Sequence, residues 1–263
     1  MRHSASGTFP IIVNETGCGQ DIPHSGSEPI FAVTWERQVP TEHNLVFLLD
    51  VDNTLLDNDR FAEDLGTHLE EVFGPEQRAR YWSIYNKIRD EFGYADYLAA
   101  LQLFRAGLDD DPALLQMSRF LLEYPFAERV FPRSIEAIRH LKAFSAPAIL
   151  SDGDIVFQPR KVQRAGIWDA VEGRVMIYLH KERMLDSVQR HYPARHYAMV
   201  DDKPQLLAKM KKIMADKLTT IFVRQGHYAL QSDMAAIDPQ PDVTIESIGD
   251  LTALDVSRWT AAA

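Results

Sequence analysis

The 263-residue chain is 46% hydrophobic and 25% charged, a balance that excludes wholesale disorder and suffices for one large domain or for a core with a smaller domain inserted in it. A formal net charge of -10 argues against general affinity for nucleic acid or an anionic membrane, and leaves a local basic pocket as the route to an anionic ligand. A single cysteine, Cys18, excludes an intramolecular disulfide and a cysteine-based zinc site.

Taken in chain order, residues 1–43 are rich in Ser, Thr, Gly, His and Pro, with short apolar patches at 9–13 and 31–33, and read as a poorly ordered arm. No basic, apolar and small-residue succession of a secretory signal opens the chain and no apolar run is long enough to span a bilayer. The expectation is a cytoplasmic protein with no membrane partner. From Leu45 the sequence reads LVFLLD, short enough for a strand and apolar on both faces, as a central parallel strand is. Similar runs recur at 148–150, 175–178, 197–200 and 219–223. Between them, Ile135, Ile138 and Leu141 mark a helix after Pro132, and Leu206, Leu207, Met210, Ile213 and Met214 mark another after Pro204. Alternation of strand and helix predicts a parallel α/β sheet with right-handed crossovers.

The interval from about 59 to 129 breaks that alternation, because its pattern is helical throughout. Phe61, Leu65, Leu69, Val72 and Phe73 share one helical face. A second helix is suggested by Tyr81, Trp82, Tyr85 and Ile88, and a third by Tyr97, Leu98, Leu101 and Phe104. Asp111 ahead of Pro112 predicts the N-terminus of a fourth. So long a crossover predicts an inserted all-helical subdomain.

Residues suited to chemistry stand where the apolar runs end, which is where an open parallel sheet binds its ligands. DVDNT follows the first run, and the one-residue spacing of Asp50 and Asp52 sends both carboxylates towards one side of an extended backbone. One could attack phosphorus while the other, protonated, serves the leaving oxygen; a polar strand end is the plainer reading. Ser151 in AILSDGD, with the backbone N–H groups of Asp152 and Gly153, could form a small nest for phosphoryl oxygens, or an ordinary turn. Lys181 in YLHKERML could neutralise a phosphate or lie solvated on the surface. Asp201 and Asp202 in YAMVDDK offer hard oxygen ligands suited to Mg²⁺, although Asp202 also fits a helix N-cap.

In this order, strand-DxDxT, strand-Ser, Lys and strand-DD resemble the haloacid-dehalogenase-like superfamily over residues 44 to about 250, with all four motifs present. The resemblance implies a Rossmann-like core at 44–58 and 130–263, its nucleophile strand central, and a helical cap at 59–129. It further implies a phosphohydrolase for a small phosphorylated metabolite, since Asp52 occupies the place where members that cleave carbon–halogen bonds lack an acid. By the same resemblance Asp50 is the nucleophile and Asp52 the acid–base. Mg²⁺ is held by the Asp50 carboxylate, the Asp52 carbonyl and Asp201, with Asp202 the second choice. Thr54 helps fix the loop and Asp52 and counts among the phosphate-binding residues, and Ser151 and Lys181, with the Asn53 backbone N–H, hold phosphoryl oxygens.

Specificity is expected from the cap and from Asp154, Gln158, Arg160, Lys161, Arg224, Gln225, His227 and Tyr228. Segments 58–61 and 125–131 would be hinges. Two further readings use the same residue types. One is a phosphomutase or other phosphotransferase on this fold. The other is a non-catalytic phosphate-binding protein or a phosphorylatable switch resembling a bacterial receiver, although in receivers the lysine follows every acidic position, whereas Lys181 precedes Asp201.

Overall fold

The apolar run that opens at Leu45 forms β1 (His43–Leu49) in the computed structural model, which describes residues 42–108, 112–256 and 259. Residues 1–41, with Cys18 and most of the expected arm, and Asp111, the expected helix cap, lie outside the described residues. The other predicted strands form as β2 (Ala148–Asp152), β3 (Val175–Tyr178), β4 (Ala194–Asp201) and β5 (Leu218–Val223). A sixth, β6 (Val243–Ile245), extends the edge. All neighbours pair in parallel, in the order β3-β2-β1-β4-β5-β6. This is the Rossmann-like order, and its reversal between β1 and β4 places a ligand crevice at the carboxyl end of β1.

Side-chain alternation along β1 divides the interior. Leu45, Phe47 and Leu49 are buried with Ala137, Ile138 and Leu141 of the helix α5 (Ser134–Leu141), on the side that also receives the helical insertion. Val46 and Leu48 face α8 (Leu185–His191) through Leu185 and Val188, and α9 (Pro204–Met214) through Leu207, Met210 and Met214. Burying one such aliphatic or aromatic side chain contributes roughly 1.5–3 kcal/mol, so both faces of β1 are anchored. Two helices, α6 (Phe157–Arg164) and α7 (Ile167–Ala170), follow β2, and α10 (Gly226–Gln231) follows β5.

The insertion comprises α1 (Asn58–Phe73), α2 (Pro75–Phe92), α3 (Tyr97–Phe104) and α4 (Ala113–Glu123). Local chemistry sets their ends. Asp57 accepts a hydrogen bond from the Arg60 amide to cap α1, Gly74 at φ 84° turns the chain into Pro75, and Asp96 caps α3 through the Ala99 amide at 2.8 Å. Phe61 is the hub of the aromatic packing, with ring centres 5.1 Å from Tyr97, 4.9 Å from Tyr124, 5.0 Å from Phe126 and 5.7 Å from Phe157. Phe157 belongs to α6, so the interior of the insertion continues into that of the sheet layer. The two crossing segments lie side by side: the Asp57 amide donates to Arg129 O at 2.7 Å and the Phe131 amide to Leu55 O at 2.9 Å. Ser134 Oγ, fully buried, also donates to Leu55 O at 2.9 Å. Among the described residues no helix is long and apolar enough to cross a membrane.

Candidate active site

At the carboxyl end of β1 the chain leaves the sheet as a tight loop, in which the Leu55 and Leu56 amides donate to Val51 O at 2.9 and 3.0 Å. Asn53 takes the left-handed conformation the loop requires (φ 62°), which asparagine tolerates better than most residues. Its side-chain oxygen accepts from the Asn58 and Asp59 amides at 3.0 and 3.2 Å, so the motif loop also holds the first turn of α1. The Asn53 amide itself donates to Leu56 O at 2.7 Å. The expectation that this amide faces a phosphoryl group is therefore corrected: closing the loop consumes the donor.

The loop delivers Asp50 into a nearly closed interior, only 3% exposed. Thr54 Oγ1 donates to Asp50 Oδ2 at 3.3 Å, so the expectation that it fixes Asp52 is corrected to its neighbour in the motif, and Lys181 Nζ lies 2.5 Å from Asp50 Oδ1. Lys181 is fully buried and also meets Leu150 O at 3.3 Å and Asp201 Oδ2 at 2.7 Å, the latter an ion pair without well-aligned hydrogen-bond geometry. Burial alone would lower the Lys181 pKa, but the charges of Asp201, Asp50 and Asp152 outweigh it and hold the ammonium above the ordinary lysine range.

Asp50, Asp201 and Asp202, all buried, bring one carboxylate oxygen each to within 4.8 Å of one another, which makes the cluster a candidate metal site. Burial raises the Asp201 carboxyl above its usual range, with Lys181 opposing and the charge of Asp50 reinforcing the rise. Asp202 is pushed up to about 9 by burial and then by Asp201, and neither of its oxygens has a hydrogen-bond partner among the described residues. A carboxylate so placed is costly unless a cation joins it. The N-cap alternative for Asp202 is not what forms, because the amide of Lys203 donates instead to Asp201 Oδ1 at 2.8 Å.

Ser151, 1% exposed, accepts a hydrogen bond from Gln158 Nε2 at 3.0 Å. The expected nest at Asp152 and Gly153 is corrected in one donor: β2 and β3 stay paired one step further, and the Gly153 amide donates to Tyr178 O at 2.9 Å. Gly153 matters instead for space, since a Cβ there would fall 2.8 Å from that of Gln158. The Asp152 carboxylate accepts from the Lys181 amide at 2.7 Å and so steadies the loop that carries the lysine.

Asp52 is separated from the buried cluster and lines a polar cleft of about 260 Å³. Its carboxylate does not turn towards Asp201 and Asp202. It pairs with Lys161 Nζ at 2.7 and 3.0 Å and accepts from Gln158 Nε2 at 3.2 Å, so its side chain is no part of the candidate metal cluster, and only its backbone carbonyl stays a possible ligand. The insertion forms one wall of the cleft through Trp82, Asn86 and Arg89, which α2 presents at positions i, i+4 and i+7. His227 and Tyr228 form another part, and the His227 amide donates to Asp59 Oδ2 at 2.8 Å. A neighbouring apolar cleft of about 620 Å³, bordered by Ile155, Leu179 and Met184, shares Tyr94 and is lined by none of the motif carboxylates.

The structure thus sorts the residues expected to set specificity. His227 and Tyr228 reach the cleft, whereas Arg160 donates to Leu122 O at 3.1 Å, Gln225 accepts from the Ile248 amide and Arg224 pairs with Glu246 at 3.2 Å on the exposed surface. Asp154 caps the turn into α6, accepting from the amides of Val156 and Phe157. Sequence reasoning missed Lys203, which lines the cleft with Nζ 4.9 Å from the centre of the Tyr228 ring. Burial would lower its pKa, but Asp50, Asp202 and Asp201 raise it above the ordinary range. Its place directly after the acidic pair was the available signal.

No family model and no curated protein matches the chain. A solved structure from Burkholderia xenovorans LB400, described as a haloacid dehalogenase-like hydrolase, is 56% identical, with a TM-score of 0.76 over 81% of this chain and 99% of that one. The hydrolase YfnB of Bacillus subtilis, bound to magnesium, is 19% identical, with a TM-score of 0.52 over 81% of this chain and 98% of its own. An L-2-haloacid dehalogenase from Xanthobacter autotrophicus with chloropropionic acid covalently bound is 18% identical, with a TM-score of 0.51 over 82% and 98%. The last two share the fold and bring no reaction with them.

Proposed function

The chain belongs to the haloacid-dehalogenase-like hydrolases, and from that premise we propose that it is a Mg²⁺-dependent phosphohydrolase that cleaves small phosphate monoesters through an aspartyl phosphate on Asp50. The observation that carries this reading is the division between two carboxylates. Asp50 is buried and fixed by Lys181 and Thr54, whereas Asp52 stands on the cleft wall, where a leaving group would depart. Displacement of an alkoxide needs a proton donor at that place. Displacement of a halide does not, so Asp52 favours phosphate esters over haloacids.

In this mechanism an Asp50 carboxylate oxygen bonds to phosphorus as the ester P–O bond breaks, and the departing oxygen takes a proton from Asp52. Water then attacks phosphorus, its proton passes to Asp52 and the Asp50 O–P bond breaks, which restores the carboxylate and frees phosphate. Lys181 and Ser151 hold the phosphoryl oxygens, Lys203 adds positive charge at the cleft wall, and Asp152 keeps the Lys181 loop in place. The unpartnered oxygens of Asp202 beside Asp50 and Asp201 fit a hard divalent cation, and these three carboxylates with the Asp52 carbonyl would hold it. Bound Mg²⁺ supplies the positive charge that offsets repulsion between the Asp50 carboxylate and a phosphate dianion. The helices α1–α4 act as a cap over the cleft, with Trp82, Asn86 and Arg89 contacting the part of the substrate beyond the phosphate.

The test is phosphate release by purified protein from a panel of phosphate monoesters, with Mg²⁺ and with excess chelator, beside a panel of L-2-haloacids. Mg²⁺-dependent turnover of phosphate esters alone is expected. Halide release without phosphate release, or full phosphatase activity in chelator, would overturn the proposal.

A further inference from the structure

Lys161 is 1% exposed, yet its ammonium sits inside a box of four aromatic rings. The ring centres of Phe61, Tyr97 and Phe126 are each 5.8 Å from Nζ, and that of Phe157 is 5.5 Å away. Its polar partners are both Asp52 oxygens, at 2.7 and 3.0 Å, and Asn58 Oδ1 at 2.9 Å. Asn58 is itself turned by a hydrogen bond to the Tyr97 hydroxyl at 3.3 Å. Three residues earlier on the same helix, Gln158 donates to Asp52 Oδ2 at 3.2 Å and to Ser151 Oγ at 3.0 Å. One face of α6 therefore holds the Asp52 carboxylate by both oxygens and ties it to Ser151. Asp52 lines the cleft and Lys161 does not, so the ammonium reaches the substrate site only through Asp52.

We infer that Lys161 is a positioning residue for the phosphohydrolase reaction: from behind the cleft it holds the Asp52 carboxylate in the orientation that serves the leaving-group oxygen. The inference rests on the reading under Proposed function. Stability alone accounts poorly for the arrangement, because taking an ammonium out of water into an aromatic box is seldom repaid by one ion pair, and an apolar side chain of similar length would fill the space. The contact with Asn58, the first residue of α1, also makes the setting of Asp52 depend on the insertion being packed in place.

The consequence is a loss that depends on the leaving group. An alkyl phosphate expels a poor leaving group that needs the proton from Asp52, whereas p-nitrophenyl phosphate expels a stabilised phenolate that does not. In a single turnover, Lys161→Met should slow transfer of the phosphoryl group to Asp50 from glycerol phosphate by about 100-fold and from p-nitrophenyl phosphate only by a factor of a few, whereas hydrolysis of the aspartyl phosphate, which also uses Asp52, should slow alike for both esters. Asp52→Asn should show the same selectivity in that transfer step, and the double variant should be no slower than Asp52→Asn alone, since Lys161 acts through that carboxylate. Equal losses of the transfer rate on the two esters, or multiplicative losses in the double variant, would overturn the inference. If Lys161→Met does not fold, Lys161→Gln, which keeps a donor without the charge, carries the same comparison. Crystal structures of the parent and the Lys161 variant decide the geometric part without turnover: an Asp52 carboxylate unmoved in the variant overturns it, and one swung away supports it. A parent that hydrolyses neither ester would instead sink the phosphohydrolase reading, and the two failures stay distinct.

Discussion

Replacing Asp202 by Asn should stabilise the metal-free protein at neutral pH, although it removes a carboxylate from the candidate metal cluster. Burial, reinforced by Asp201, raises the Asp202 carboxyl in the folded chain from 3.8 to about 9. The sign follows from linkage. Below 3.8 both states hold the proton and nothing is lost, but as the pH rises the unfolded chain ionises freely while the folded chain does not, and stability falls progressively until the folded value is passed. The interval from 3.8 to pH 7, at about 1.4 kcal/mol per unit, sets a ceiling of about 4 kcal/mol. Asparagine is buried at similar cost but cannot ionise, so Asp202→Asn should gain about 1–4 kcal/mol at pH 7, and the gain should shrink towards pH 4. Urea and thermal denaturation in chelator across that range measure it. Added Mg²⁺ should offset that gain, stabilising the parent by about 2.7 kcal/mol at a hundred times its dissociation constant and the variant far less. A variant less stable than the parent in chelator at pH 7, or a difference that does not vary with pH, would refute the reasoning.

Phe61→Ala removes the hub of the aromatic packing between α1, α3 and α6 and should destabilise the protein by about 3–5 kcal/mol, measured by chemical denaturation. Ser134→Ala leaves the buried Leu55 carbonyl with one donor fewer and should cost about 1–2 kcal/mol by the same assay. Arg89→Gln alters a residue of the cleft wall that is not among the partners of Asp50, so it should change the ranking of natural phosphate esters through KM while leaving kcat for p-nitrophenyl phosphate within a factor of a few. An unchanged ranking across the panel would move specificity from α2 to the loop around His227.

The candidate site was legible in the sequence wherever an apolar run ended in a charged or hydroxylated residue. Asp50, Ser151, Lys181 and Asp201 stand at or just beyond the carboxyl ends of four strands of one parallel sheet, so a linear pattern reports a shared edge. The extra strand β6 escaped notice because it has only three residues, with Thr244 exposed between the flanking apolar positions. The Gly153 and Asn53 amides were misread because hydrogen bonds to Tyr178 O and Leu56 O depend on how far strand pairing and loop closure extend, which composition does not encode. Lys161 and Gln158 stood among surface specificity candidates because their partner, Asp52, is more than a hundred residues away in the chain. Only packing of the insertion against α6 reveals why a lysine sits among apolar residues there.

The most direct test of the central claim is mass spectrometry of the peptide that contains Asp50, from protein quenched in acid during turnover of a phosphate ester with Mg²⁺. The mechanism predicts a phosphoryl group on that peptide, located at Asp50, present during turnover, absent once substrate is exhausted and absent throughout in Asp50→Asn. Steady phosphate release with no phosphorylated Asp50 peptide in the quenched protein, or undiminished release by Asp50→Asn, would contradict it.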